Sequence, residues 1–210
     1  MNNSKKETDY MKSNHFLVFA LILLTMFQLG CATQLPMPAG VQELSPGDYE
    51  KLTDRKTQRI EIYEGLHNKM TVSATWLDSE MSNGTLSHSA RLAQWQESKY
   101  KEERYKVVAR HTDRTEFFVS FYTPERKLAD LANKKNLWKI YLDVNGQRFE
   151  GTATKVKQLL TEIQAIYPQH NRWSTPFIVS FPVSTALTEN KEAVLTMTGA
   201  VGSAQLRFSN

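Results

Sequence analysis

The chain has 210 residues, 40% of them hydrophobic and 23% charged, with a formal net charge of +4. That length accommodates one domain plus a leader rather than two full cores. The composition excludes both a chain disordered by composition and a multi-span membrane protein. Lys5, Lys6 and Lys12 against Glu7 and Asp9 leave about +3 for everything after residue 30. The basic runs "KYKEERYK" (99–106) and "NKKN" (133–136) are short, and the first is mixed with acids. No concentrated basic face emerges, so no nucleic acid is expected as a partner.

The first element in chain order is "FLVFALILLTMFQL", Phe16 to Leu29, apolar apart from Thr25 and Gln28 and preceded by Lys12. Fourteen helical residues span only ~21 Å, against the ~30 Å of a hydrocarbon core, so the stretch reads as a secretory signal rather than a permanent span. Met11 opens "MKSNHF" and is a second candidate start beside Met1. Directly behind the apolar run, Leu29 and Gly30 precede Cys31, the chain's only cysteine.

Basic residues, a short apolar helix, a small residue and then cysteine: this arrangement resembles the signal and lipobox of bacterial lipoproteins. The resemblance covers residues 1–31 alone. It implies a leader over 1–30, cleavage before Cys31, and attachment of diacylglycerol to the Cys31 thiol. Two or three acyl chains hold a protein stably on a bilayer where one holds it marginally. Ala32, where inner-membrane lipoproteins carry Asp, is similar to the outer-membrane class, which implies a cell-envelope protein facing the periplasm. Gly30 and Ala32 would also suit an ordinary signal-peptide cut. The position of the one cysteine favours the lipoprotein reading. A lipidated Cys31 leaves no thiol for a disulfide or a zinc-cysteine site.

Residues 31–48, with three prolines and two glycines, read as the lipidated end and a flexible tether. The domain is expected over 49–210. "QRIEIYEG" alternates with Ile60 and Ile62 on one face, and "MTVSATWLD" sets Met70, Val72, Ala74 and Trp76 against Thr71, Ser73 and Thr75. "EFFVSFYTP" is apolar on both faces and predicts a central strand. In "LWKIYLDVNGQRFEGTATKVK", Asn145 and Gly146 predict a type I′ hairpin with Trp138, Ile140 and Leu142 pointing inward. Three further strands follow at 174–183, 192–199 and 204–209.

One longer helix is expected between Asp78 and Arg104, interrupted at Asn83 and Gly84, with a thin stripe from Leu86, Ala90, Ala93 and Tyr100. A short helical turn over 161–168 stops at Pro168. About eight strands without regular strand-helix alternation predict a mainly β fold, an antiparallel β-sandwich.

Chemistry is sparse. The sequence lacks HExxH, GxSxG, a Walker loop and GxGxxG, and no catalytic residue, cofactor or metal ligand is nominated. His111 and Asp113 in "RHTDR" would share a face if extended, within reach for a carboxylate to orient an imidazole. Glu61, Glu64 and His67 would align only on a helix and are expected to diverge. His88 and His170 read as surface histidines. Trp76 and Trp138 fall on inward faces, Trp95 is undetermined, and Trp173, after the loop-like "YPQHNR", is the candidate binding residue.

The expectation is therefore a lipid-anchored envelope protein that binds or scaffolds, its partner an envelope protein, peptidoglycan or a lipid. The alternative is an envelope hydrolase with a dispersed site near His111 and Asp113. A third possibility is an assembly contact through the 78–104 helix. The anchor predicts that globomycin makes a larger precursor accumulate and that Cys31→Ala releases or stalls the protein. Unchanged membrane fractionation of that variant would refute it.

Overall fold

The computed structural model describes residues 44–209 together with Pro38 and Val41; the leader, Cys31 and most of the expected tether lie outside the described residues. The first helix, α1, is Pro46–Arg55. Ser45 caps it, its Oγ accepting from the Asp48 amide at 3.1 Å, and Pro46 occupies the first turn, where its missing N–H is harmless. The expected tether therefore overlaps the domain: Val41 packs against Leu86, Ala90, Tyr100 and Val107, Leu44 packs on the core that holds Tyr49 and Leu52, and α1 starts at Pro46. Two long strands follow, β1 (Thr57–Glu64) and β2 (His67–Trp76).

The single expected helix is two. Helix α2 spans Ser79–Leu92 and α3 spans Glu97–Asp113. Asn83 and Gly84 do not break α2, because Gly84 sits where α1 comes closest: a Cβ there would lie 2.5 Å from Leu52 Cδ2. Tertiary packing overrides the weak helix propensity of both residues. Asp78 caps α2, accepting from the Met81 amide at 2.8 Å.

The remaining elements are β3 (Thr115–Tyr122), β4 (Lys139–Val144), β5 (Gln147–Glu150), β6 (Thr152–Lys155), α4 (Leu160–Ile166), β7 (Thr175–Phe181), α5 (Thr185–Thr188), β8 (Ala193–Gly199) and β9 (Gly202–Phe208). They form two antiparallel sheets, β1-β2-β3-β7-β6 and β5-β4-β8-β9, and the β-sandwich expected from the alternation is observed. The hairpin turns at Asn145 and Gly146, with φ of 52° and 73°. Its second arm divides at Gly151 into β5 on one sheet and β6 on the other. Gly151 crosses the Phe181 ring so closely that a Cβ would stand 2.5 Å from Cε1, and glycine alone fits this crossover.

Between the sheets, Met70, Val72, Ala74 and Trp76 meet Phe117, Val119, Phe121, Leu142, Leu195, Met197 and Phe208 in one buried core. Trp76 stacks on Phe117, and Trp138 sits edge-on to Phe121 with its indole N–H donating to the Leu128 carbonyl at 2.8 Å. Burial of each such ring contributes ~1.5–3 kcal/mol. A second core lies outside the five-stranded sheet. There Phe118 of β3 and Ile178 of β7 are covered by Tyr49 and Leu52 of α1, Met81 of α2, Ile163 of α4, and Tyr167. The molecule therefore has three layers, helices on sheet on sheet.

Lys56 joins α1 to β1 and is buried, its Nζ 2.6 Å from Asp78 Oδ2 and 3.0 Å from Glu80 Oε2. Burial works to lower the ammonium pKa, but the bonds to Asp78 and Glu80 prevail and leave it raised. Asp78 thus caps α2 and neutralises Lys56 at once. Lys56→Met is expected to lower the unfolding free energy by about 3–5 kcal/mol in a urea titration, because it strands the buried carboxylate. Adding Asp78→Asn, which keeps the cap acceptor, is expected to recover a large part.

Candidate functional site

The outer face of the five-stranded sheet changes character along its strands. Phe118 and Ile178 lie under the helices, whereas the other end carries Arg59 and Glu61 of β1, Thr71 and Ser73 of β2, and Ser120 and Tyr122 of β3. Strand register sets Arg59, Ser73 and Ser120 in one row and Glu61, Thr71 and Tyr122 in the next. Period two places all six on one face.

The segment 167–174 arches over this polar end and is pinned at several points. Tyr167 stacks on Phe118 with centroids 3.7 Å apart. Gln169 Nε2 donates to Thr75 Oγ1, and Gln164 Nε2 donates to the His170 carbonyl at 2.9 Å. His170, only 3% exposed, sets Nδ1 2.8 Å from Ser120 Oγ. Asn171 Oδ1 accepts from the amides of Trp173 and Ser174 at 2.9 and 3.2 Å, closing a turn of the kind Asn favours. At the end of this held segment Trp173 is 75% exposed. With Arg59, Glu61, Asn68, Thr71, Tyr122, Asn171 and Ser174 it lines a groove of about 390 Å³, a size suited to a small ligand or one segment of a long one.

Charge in the groove is internally compensated. Arg59 Nη2 and Nε donate to Glu61 Oε1 at 2.7 and 3.1 Å, and the Tyr63 hydroxyl donates to Oε2 at 2.7 Å. Tyr63 first, then Arg59, hold the Glu61 carboxyl below the usual range. Its floor, by contrast, is under-satisfied. Asn68 Nδ2 donates to Thr71 Oγ1 at 3.0 Å, yet Asn68 Oδ1 is buried without a partner. Ser73 Oγ, between Thr71 and Thr75, and Gln169 Oε1 are also buried without a partner, but outside the groove lining. Of the six such side-chain atoms among the described residues, that of Asn68 belongs to the groove lining.

His111 and Asp113 fall on the last turn of α3, not on a strand. Two positions apart on a helix, they point about 200° away from each other. Asp113 engages the Arg114 guanidinium at the surface, while His111 Nε2 lies 3.1 Å from Ser82 Oγ. Ser82 Oγ also lies 3.2 Å from the Leu77 carbonyl, and Asp113 is turned away, so the pair lacks the carboxylate that would orient the imidazole.

The surface reading of His88 and His170 is corrected, since both are buried. His88 stacks on Tyr49, donates from Nε2 to the Ala165 carbonyl at 2.9 Å, and accepts from Arg91 at Nδ1. Glu61 and Glu64 diverge as expected, Glu64 pairing with Lys69 at 2.9 Å. Trp95 is half-buried against Leu86, Ala90, Tyr100 and Val107. A second pocket of about 350 Å³, lined by Arg55, Lys56, Glu80 and Glu189 among others, has its charges largely committed to ion pairs. Among the described residues, no group of three or more His, Cys, Asp or Glu is placed to hold a metal ion.

No family model, curated protein or solved structure matches this chain.

Burial is the leading cause that holds the imidazoles of His88, His111 and His170 below the ordinary 6.5. The unfolded chain therefore takes up more protons once the pH falls through about 6.5, and stability present above that value is lost below it. The thermal midpoint is expected to be lower at pH 5 than at pH 7.5, a window above the ordinary carboxylate range. His170→Asn, which can still hydrogen-bond Ser120 but carries no titrating group, is expected to flatten part of that dependence in calorimetry.

Proposed function

We propose that this chain is a lipid-anchored protein of the bacterial cell envelope, held in the outer membrane and facing the periplasm, that binds a partner in the Trp173 groove. The anchor is supported by the lipobox resemblance at Leu29, Gly30 and Cys31. One observation carries the binding role: a large indole is held in water at the end of a segment tied down to a rigid sheet. A fold gains nothing from exposing a tryptophan in this way, and loops held by a rigid scaffold are where binding residues concentrate. The partner is an envelope component: a protein, peptidoglycan or a lipid.

The test uses the purified full chain in detergent, offered separately to detergent-washed sacculi, lipid vesicles and solubilised envelope proteins. Retention on one of these is expected, with Trp173→Ala reducing the retained fraction about tenfold. The thermal midpoint of the variant is expected to be unchanged, because the indole packs little of the core. Retention indifferent to the substitution would remove Trp173 from the site.

A further inference from the structure

We infer that the groove takes a neutral saccharide chain, with one pyranose ring laid on the Trp173 indole; this rests on the groove being the binding seat. Three features define that chemistry together. The exposed indole offers a flat apolar face, which suits the C–H face of a sugar ring. The lining charges cancel, Arg59 being bound to Glu61 at 2.7 Å, so the groove has no free cation for an anionic ligand. The unpartnered side-chain atom among the lining residues, Asn68 Oδ1, is an acceptor.

An acceptor without a donor calls for a ligand that brings a hydrogen-bond donor. Phosphate and carboxylate bring acceptors and meet an already neutralised guanidinium. An extended peptide binds best along a free strand edge, where its backbone groups find backbone partners. This groove instead lies across the side-chain face of β1, β2 and β3; a peptide added along β1, the outer strand of the sheet, would sit beside the groove rather than on the indole. A polyhydroxylated ring satisfies both halves of the site, its C–H face on the indole and a hydroxyl or acetamido N–H on the Asn68 amide oxygen. Asn68 is held by its Nδ2 bond to Thr71 Oγ1 at 3.0 Å, so its free amide oxygen is fixed in the groove by the strands themselves.

The experiment titrates the full chain, in a detergent without a sugar headgroup, with four probes by calorimetry: a hexamer of N-acetylglucosamine, a linear glucose hexamer, an uncharged hexapeptide and inorganic phosphate. Saturable binding of at least one hexasaccharide is expected. Trp173→Ala is expected to weaken it at least about tenfold while Trp173→Phe keeps most of it. Asn68→Leu is expected to weaken it, and Asn68→Asp, which retains an acceptor, to restore it; a merely structural Asn68 would not distinguish the two. Preference for the N-acetylglucosamine hexamer identifies a peptidoglycan-type backbone, and preference for the glucose hexamer identifies a glucan. No saturable binding of either hexasaccharide, or binding unchanged in Trp173→Ala, overturns the inference. Trp173-dependent binding of the hexapeptide or phosphate alone overturns the saccharide while leaving the groove as the seat.

Discussion

The structure turns on β3, a strand with large apolar side chains on both faces. Phe117, Val119 and Phe121 point into the sandwich, and Phe118 points the other way. A sheet built around such a strand is incompletely buried by a second sheet alone. The helices answer that demand: α1, α2 and α4 deliver Tyr49, Leu52, Met81 and Ile163 to the Phe118 side. The buried Lys56 and Asp78 pair then fixes the junction of α1 and β1 against the start of α2. Neither group tolerates loss of the other, so the junction specifies one arrangement of the helical layer.

The same face explains the groove. Along β3 the outward residues run Phe118, Ser120, Tyr122, from apolar to polar to amphipathic. The helical layer covers the apolar end, and beyond it the sheet would present polar side chains to water. The segment 167–174 covers part of that end instead, bonded to Thr75 and Ser120. A segment so held loses little further entropy when a ligand meets its tip, which favours binding.

Sequence pattern made the sandwich legible because its strands alternate with period two and its hairpin carries Asn145 and Gly146, residues that tolerate positive φ. Helix α1 left a signal as well, Ser45 and Pro46 at its start, but proline-rich surroundings read equally as tether. Gly84 misleads by itself, since its helical role depends on Leu52, thirty-two positions away. His111 and Asp113 depended on a strand that is a helix, and the burial of His88 and His170 depended on Tyr49 and Ser120, distant partners. Trp173 was visible because a tryptophan stood in a loop-like stretch. Its neighbours Arg59, Asn68, Thr71 and Tyr122 come from β1, β2 and β3, and only strand register brings them together.

Two pockets of similar size therefore differ in kind. The one around Arg55, Lys56, Glu80 and Glu189 is the more charged, yet its ion pairs already hold the fold together, and a ligand there would have to break them. The groove at Trp173 holds an amide oxygen, Asn68 Oδ1, that the fold leaves without a partner and an apolar ring that it leaves in water. A buried acceptor without a donor carries its full desolvation penalty in the free protein, so a ligand supplying the donor removes a penalty already present. An analogue lacking the donor would leave that penalty in place, so under the proposed reading Asn68 would contribute selectivity as well as affinity. Charge alone would favour the first pocket; the unmet hydrogen-bonding capacity of Asn68 beside Trp173 favours the groove.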